Sequence, residues 1–180
     1  IVLHNVAAHY AIALCAIGRS TTGTVTVTNA VAITGSAAEA TAALVTAGTL
    51  VAVSDAVVTV NDADATAITA AELSAIGAAT TGTVIVTNAV AITGTTAEVT
   101  AALVTAATKV EVSDATVTLT DAHTQAQLAA IDAATTGTIT LYSGGGGGNE
   151  SITGTAADVV VQLAGLSGYT GTVTITDAPT

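Results

Sequence analysis

Short stretches of the chain alternate apolar and polar residues, a pattern of period two that is typical of β-strands. Between Thr24 and Thr34 the larger apolar residues share one parity and the threonines share the other: Val25, Val27, Val31 and Ile33 against Thr24, Thr26, Thr28 and Thr34. This predicts a strand with an inward Val/Ile face and an outward Thr face. Around residues 113–115, Ser-Asp-Ala, the parity of the apolar positions reverses, which predicts a bend or bulge that restores the inward face.

Ala-rich runs follow these stretches and begin with the helix-start signature S/T-x-x-E/Q/D. The hydroxyl is expected to accept from the N–H three residues on, and the third side chain to reach back to the cap. Larger apolar residues recur at helical spacing, as at Leu73 and Ile76, so the runs predict short amphipathic helices. The five pairs are Ser36 with Glu39, Thr69 with Glu72, Thr95 with Glu98, Thr124 with Gln127, and Thr155 with Asp158.

The strand and helix patterns recur in a long internal repeat. Residues 22–63 align with residues 81–122 at a shift of 59, and 32 of the 42 aligned residues are identical. A looser third copy begins at Thr136. Each period contains two similar halves of about 30 residues, and each half is a strand, often kinked at Asn or Asp, followed by a capped helix.

Stacked units of this kind predict an α/β fold, a right-handed solenoid of parallel strands and short Ala-rich helices. We expect a single repeat array over 1–180. An alternative makes each kinked segment a ββ hairpin, but Asn29-Ala30 is not the Asn-Gly that tight hairpins prefer, so this arrangement ranks second. The predicted coils are 1–20 (partial), 21–48, 49–79, 80–107, 108–135, 136–166 and 167–180 (partial).

Composition narrows the classes of function. Hydrophobic residues make up 51% of the chain and charged residues only 8%, which excludes general disorder. Thirteen acidic residues against two basic ones give a net charge of −11, which argues against nucleic acid and anionic membrane surfaces as partners. The longest apolar runs fall short of the roughly 20 residues that a membrane-spanning helix needs.

The chain offers little catalytic chemistry. Cys15 cannot form an internal disulfide and is expected to be a buried thiol. His4, His9 and His123 do not have zinc-ligand spacing with cysteine, and no nucleophile motif or phosphate-binding glycine pattern is found. We therefore expect a protein that is not an enzyme and has no organic cofactor.

The aspartates align through the repeat and support two interpretations. Corner positions are held by Asn29, Asp55, Asn88 and Asp114, whereas Asp62, Asp121 and Asp177 lie at strand ends. One interpretation is a ladder of Asn/Asp turns in which each side chain bonds to its own backbone. The other is a weak calcium site formed by Asp55, Asp114, Asp62 and Asp121, although calcium needs six or more oxygen ligands.

Two further surface features are candidates for binding or modification. Outward threonines recur as Thr-x-Thr at 24–28, 138–140 and 172–176, which suggests an ice- or glycan-binding face, although Ile85 interrupts the row. A glycine run at 144–148 predicts a flexible loop. It leads into Asn149-Glu150-Ser151, an acceptor sequence for N-glycosylation at Asn149.

The passages at 22–45 and 120–141 resemble the Thr/Ala/Val-rich repeats of very large secreted proteins of cyanobacteria and other marine bacteria. The resemblance covers nearly the whole chain. It implies an extracellular or cell-surface array of the surface-layer, sheath or adhesin type, with no catalytic residue to carry over.

The two ends of the sequence predict self-association. The final TDAPT at 176–180 matches TDAHT at 120–124, whose last residue, Thr124, is a predicted helix cap. At the other end, Ile1–His4 forms a short stub before the first helix, for which Asn5 is a plausible cap. Few Lys or Pro residues protect the strand edges. We expect head-to-tail contacts between copies, giving a filament, or membership in a longer array of the same repeats.

Overall fold

The structure is a computed structural model that describes residues 2–3, 8–27, 30–108, 110–142, 152–163, 166–167 and 172–177. Groups of two or three short strands alternate along the chain with helices of eight or nine residues. The helices are α1 (Ala11–Arg19), α2 (Ala37–Leu44), α3 (Ala70–Ala78), α4 (Thr96–Leu103), α5 (Gln125–Asp132) and α6 (Ala156–Leu163). The strands are β1 (Val2–Leu3), β2 (Ala8–Tyr10), β3 (Val25–Val27), β4 (Ala32–Gly35), β5 (Val51–Val53), β6 (Val57–Val60), β7 (Ala67–Thr69), β8 (Val84–Val86), β9 (Ala91–Gly94), β10 (Val110–Glu111), β11 (Thr116–Leu119), β12 (Ile139–Thr140), β13 (Ile152–Gly154), β14 (Leu166–Ser167) and β15 (Val173–Ile175).

All strand pairs within the described ranges are parallel, so the protein is α/β with parallel sheets. The sheet orders are β1-β3-β5, β10-β8-β6-β4-β2, β14-β12-β11-β9-β7 and β13-β15. A helix lies in sequence between the two strands of each described pair and forms part of the long connection that parallel pairing requires. The hairpin arrangement of the kinked segments is therefore not found in the described part of the chain.

The alternating stretch from Thr24 to Thr34 is not one strand, because its two halves belong to different sheets. Its first half, β3, pairs with β5, whereas its second half, β4, pairs with β2 and β6. The parity reversal at 113–115 has the same structural basis, since β10 and β11 on either side of it also lie in different sheets. The corner thus turns the chain from one sheet into the next.

A new sheet begins once in each period of the sequence repeat. The strands β2 and β7, which begin 59 residues apart, each start a five-stranded sheet just before a helix. Within those sheets, β6 and β11 hold the middle position: β6 joins β4 to β8, and β11 joins β9 to β12. We call β6 and β11 the middle strands.

The core is built from apolar side chains in register on neighbouring strands. One row contains Ile33, Val58, Val84 and Val110, and a second contains Ile68, Ile92, Val117 and Ile139. All eight side chains are buried. Burial of each contributes about 1.5–3 kcal/mol, so stability is distributed along the rows rather than concentrated at one centre.

The helices cover the sheets and pack against one another in chain order, from α1 to α5. Small residues allow close approach: a Cβ on Gly18 or Gly77 would collide with the backbone of Thr49 or Thr108 in the next unit. Cys15 of α1 is a buried free thiol, as its apolar surroundings in the sequence predict. None of the described helices is long and apolar enough to cross a membrane.

Candidate functional site: the junctions between repeats

The polar side chains that the repeat places in register are found mainly at the contacts between consecutive units. At the helix starts, Ser36, Thr95 and Thr124 form reciprocal capping boxes with their third helical residues. Thr69 also accepts a hydrogen bond from Glu72 N. Each cap satisfies an amide that the helix itself leaves without a partner. Thr155 directly precedes α6, and Val159 N donates to its carbonyl oxygen.

A second group of side chains caps the same helices from the following unit. Ala37 N donates to Asp62 Oδ2 at 2.7 Å, and Thr96 N donates to Asp121 Oδ1 at 2.6 Å. At α6, Ala156 N donates to Asp177 Oδ1 at 2.8 Å. A carboxylate at a helix N-terminus is also favoured by the helix dipole. These aspartates therefore join each middle strand, and β15, to a helix 21 to 25 residues earlier in the chain.

The corner aspartates make local contacts instead. Ser54 Oγ donates to Asp55 Oδ1 at 2.9 Å, and Ser113 Oγ donates to Asp114 Oδ1 at 2.8 Å. All four of these residues are exposed. No group of three His, Cys, Asp or Glu side chains that could share a metal ion occurs in the described ranges. The calcium site at Asp55, Asp114, Asp62 and Asp121 remains a prediction, and two of its four carboxylates are hydrogen-bonded to helix amides.

A pair of three-residue motifs forms the most elaborate junction. We call Thr-Thr-Gly at 21–23, 80–82 and 135–137 the docking triplet, and Ser-Asp-Ala at 54–56 and 113–115 the corner triplet. Thr80 Oγ1 donates to the carbonyl oxygen of Ala56 at 2.7 Å. Both the backbone N and the Oγ1 of Thr81 donate to the carbonyl oxygen of Ser54, each at 2.8 Å. The docking triplet therefore binds the backbone of the preceding corner triplet.

The next copy of the junction repeats this geometry. Thr135 Oγ1 donates to the carbonyl oxygen of Ala115 at 2.7 Å, while Thr136 donates to that of Ser113 from N at 2.8 Å and from Oγ1 at 2.9 Å. The glycine is required by the closeness of the contact, because a Cβ on Gly82 or Gly137 would collide with the carbonyl oxygen of Ala56 or Ala115. Thr80 and Thr135 are buried at 7% and 6% exposure.

The first docking triplet has the same internal geometry, but no corner carbonyl of the described residues lies against it. Gly23 N donates to Thr21 Oγ1 at 3.1 Å, matching the 3.0 Å bonds from Gly82 to Thr80 and from Gly137 to Thr135. Yet a Cβ on Gly23 would meet only Thr21 Oγ1, at 3.8 Å, within the described part of the chain. Gly23 and Thr22 are exposed.

A row of hydroxyl side chains lies on the outer face of one sheet. Thr69, Thr93, Thr118 and Thr140 are in register on β7, β9, β11 and β12, and all four are exposed. Of the threonines in the Thr-x-Thr segments at 24–28, 138–140 and 172–176, only Thr140 belongs to this row. In the sheet that contains Ile85, the corresponding outer row includes Tyr10, Thr34, Thr59 and Glu111, so it is not a threonine surface.

The remaining candidates from the sequence lie apart from the junctions or outside the described residues. His123 is buried directly before the cap Thr124, whereas His9 is half-buried in β2, directly before Tyr10, the N-cap of α1. His4, Asn5, Asn29, Lys109 and Asn149 lie outside the described residues, so glycosylation at Asn149 stays a prediction. A surface recess of about 330 Å³ lies at the first docking triplet and is lined by Thr21–Gly23 together with Gly48 and Leu50.

Comparison with models of protein families, with curated proteins and with solved structures found no match to this chain. Its function must therefore be argued from its own geometry. The sequence reveals the helix caps directly, but it does not reveal the role of the docking triplet. The recurrence of Thr-Thr-Gly before a strand is visible in the sequence, but its hydrogen-bond acceptors are not. In the triplet at 80–82 these acceptors are carbonyl oxygens 24 and 27 residues earlier in the chain.

Proposed function

We propose that this protein is a structural repeat protein, an extracellular scaffold that assembles head to tail into a filament, sheath or surface layer. In this proposal its units stack as a right-handed α/β solenoid, each coil contacting mainly its neighbours. Support comes from the in-register apolar rows, from helices that pack in chain order, and from polar groups at the junctions that bond one unit to the next.

The observation that carries the proposal is the exposure of β15. Val173 and Ile175 are 39% and 48% exposed. Val117 and Leu119, which hold the same positions in the matching segment 116–122, are 0% and 2% exposed. In β11 these side chains are covered because β11 has neighbours on both sides. Among the described strands β15 pairs only with β13, and this apolar strand, which continues the repeat pattern, offers a surface that another repeat can cover.

The residue types of β15 also favour pairing of this edge strand with a strand of another molecule. Soluble proteins commonly block such edges with lysine, proline or a bulge, and the residues of β15 are Val, Thr and Ile. A contact between this edge and the opposite end of a second copy is heterologous, since it joins two different surfaces. Such a contact does not close on itself by symmetry and extends into a filament or layer.

We propose no catalytic role and no cofactor. Three of the polar groups that the repeat aligns are committed to hydrogen bonds between units: Asp62 and Asp121 accept from helix amides, and Thr80 donates to the carbonyl oxygen of Ala56. A scaffold needs these bonds to fix the spacing of its units.

Light scattering on the purified chain tests this proposal. The average mass is expected to rise with concentration above the 17.1 kDa of one chain. Val173→Lys and Ile175→Lys are expected to hold the protein at one chain, because a charge cannot be buried in a contact between apolar strands. Thr174→Lys is the matched control on the same strand, placed at the position equivalent to the exposed Thr118. A single mass of one chain at every concentration would overturn the proposal.

The threonine row supports a second candidate, an adhesin or ice- or glycan-binding module. Thr69, Thr93, Thr118 and Thr140 present four exposed hydroxyl side chains at the strand spacing of about 4.8 Å. Such a regular row suits a ligand that is itself regular. Thermal hysteresis or binding to a glycan array that is lost in Thr93→Lys and retained in Thr59→Lys would favour this function, and the absence of both activities would exclude it.

A further inference from the structure

We infer that the outer edge of β5 pairs with the same edge of a second copy of this chain, across a two-fold axis at Ala52. This contact is antiparallel and isologous, so it differs from the head-to-tail contact of the proposed function. Two-fold contacts at β5 join filaments side by side, which selects a sheath or layer over a single filament. That consequence rests on the proposed function, whereas the contact itself does not.

The β5 strand ends its sheet. In the order β1-β3-β5 it pairs with β3 and with no other strand of the described ranges. Residues 46–56 and 79–87, which adjoin the outer edge, are all described. Val53 is half-buried, whereas Val27, in register with it on the interior strand β3, is 2% exposed. The lack of a neighbouring strand therefore leaves an apolar side chain partly uncovered.

The open part of this edge is the strand itself. On one side of it, Thr81 donates from N and Oγ1 to the carbonyl oxygen of Ser54, so the next unit closes the edge directly after β5. On the other side, Thr49 Oγ1 donates to the carbonyl oxygen of Ala42, which holds the chain against α2. The edge offered to a partner is therefore the three residues Val51–Val53.

The direction of the backbone groups follows from the neighbouring strand β6. The buried Val58 donates its N–H to the carbonyl oxygen of Thr83 in the later unit, and the exposed Val57 donates to that of Val31 in the earlier unit. The β5 strand adds to β3 as β6 adds to β4, and α2 packs against both. The two inward valines of β5 thus direct their N–H and carbonyl groups to the open edge.

The sequence of the edge, Val-Ala-Val, is the same in both directions, which makes it complementary to its own copy. With Ala52 opposite Ala52 of the second copy, Val51 lies opposite Val53, and each such pair exchanges both N–H···O bonds. The alanines occupy the position between these pairs, where side chains on opposed strands come closest. Leu50, which is 44% exposed, then packs diagonally against Ala52 of the second copy.

The second period of the repeat contains the same edge in a protected form. Lys109 and Glu111 stand where the first period has Leu50 and Ala52. The exposed Glu111 lies at this position of β10, which also ends its sheet. Two-fold pairing at β10 would place two Glu111 side chains directly opposite, which is destabilising, and charged residues on edge strands prevent such pairing. The β5 edge has no charged residue from Leu50 to Ser54.

The contact is short, so a single pair of chains is held weakly. Along a filament each chain presents one β5 edge at a fixed spacing, and contacts that form together add to one another. The contact is therefore consistent with a chain that stays single by light scattering when its β15 is blocked. Cross-linking and charge pairing detect it in that state.

Cross-linking tests the position of the axis. Ala52→Cys is introduced into the Val173→Lys/Ile175→Lys chain, with Thr59→Cys on the outer face of the interior strand β6 as the matched control. The chain's own thiol, Cys15, is buried. On oxidation, Ala52→Cys is expected to form linked pairs at least about tenfold faster than Thr59→Cys, because Cα atoms about 4.5 Å apart suit a disulfide.

A charge exchange tests whether the partner is a second copy. Ala52→Glu and Ala52→Lys, each in the Val173→Lys/Ile175→Lys chain, carry donor and acceptor dyes. Energy transfer is expected in the mixture, with a Kd roughly tenfold or more below that of either variant alone, because opposite charges then face each other at the axis. Glu111 shows that the fold accepts a charged residue at this position. Thr59→Glu with Thr59→Lys is the control and is expected to give no gain.

The outcomes separate this inference from the assembly proposal. Equal linking rates for Ala52→Cys and Thr59→Cys overturn the β5 contact, whatever mass the wild-type chain reaches. A mixed pair of Ala52 variants that binds no more tightly than either variant alone overturns the two-fold register. Rapid linking through Ala52→Cys in a wild-type background that stays at one chain at every concentration supports the contact and contradicts the assembly function.

Discussion

Residues 116–121 and 172–177, TVTLTD and TVTITD, have nearly the same sequence and very different surroundings. The first segment includes β11, where Val117 and Leu119 are buried between two neighbouring strands. The second includes β15, where Val173 and Ile175 are exposed and β13 is the one neighbour within the described ranges. The local sequence thus determines that a strand forms, whereas the adjacent repeats determine how much its side chains stabilise the fold.

The comparison predicts its largest difference for large-to-small substitutions. Leu119→Ala is expected to lower the free energy of unfolding by about 2–5 kcal/mol, because it leaves a cavity in a packed row. Ile175→Ala is expected to cost less than about 1 kcal/mol in the dilute chain, since half of that side chain is already exposed. Urea denaturation of both variants measures the difference, and equal losses would show that β15 is packed as tightly as β11.

Glycine substitutions extend the comparison to the docking triplets. Gly82→Ala is expected to destabilise the chain by about 1–3 kcal/mol, because the new Cβ meets the carbonyl oxygen of Ala56 and the strand must shift. A Cβ on Gly23 would approach no described atom more closely than Thr21 Oγ1, at 3.8 Å, so Gly23→Ala is expected to stay within about 0.5 kcal/mol of the wild type. Thermal melts at low protein concentration distinguish the two. A large loss in Gly23→Ala would mean that the first triplet is already docked within the chain.

Removing an aspartate cap gives a smaller expected effect. Asp121→Ala deprives Thr96 N of its acceptor at the start of α4 and is expected to cost about 1 kcal/mol. Asp114→Ala removes only an exposed contact with Ser113 and is expected to change stability by less than about 0.5 kcal/mol. Denaturation midpoints check both variants, and a larger loss in Asp114→Ala would assign the corner aspartates a role that their contacts do not show.

Much of this fold can be predicted from the sequence, because its determinants are local. The capping pairs at Ser36, Thr95 and Thr124 satisfy amides within the same turn, and the 59-residue shift makes each pattern recognisable twice. The coarse α/β class with parallel strands follows from strands that alternate with helices.

The remaining features depend on partners distant in the sequence. The stretch from Thr24 to Thr34 reads as one strand because alternation alone does not show that β3 and β4 join different sheets. Asp62 and Asp121 read as turn residues or calcium ligands because the amides that they accept from lie 25 residues earlier. The residues next to each aspartate in the sequence therefore do not indicate that it caps a helix of another unit.

Hydrogen exchange measured residue by residue at low and high protein concentration tests most directly whether repeats of neighbouring copies cover β15. The amides of β11 are expected to be protected at both concentrations, since β11 is paired on both sides within one chain. The amides of β15 are expected to exchange faster in the dilute chain and to approach the protection of β11 as the average mass rises. Protection of β15 that is independent of concentration, or an increase in mass that leaves β15 unprotected, would contradict the account.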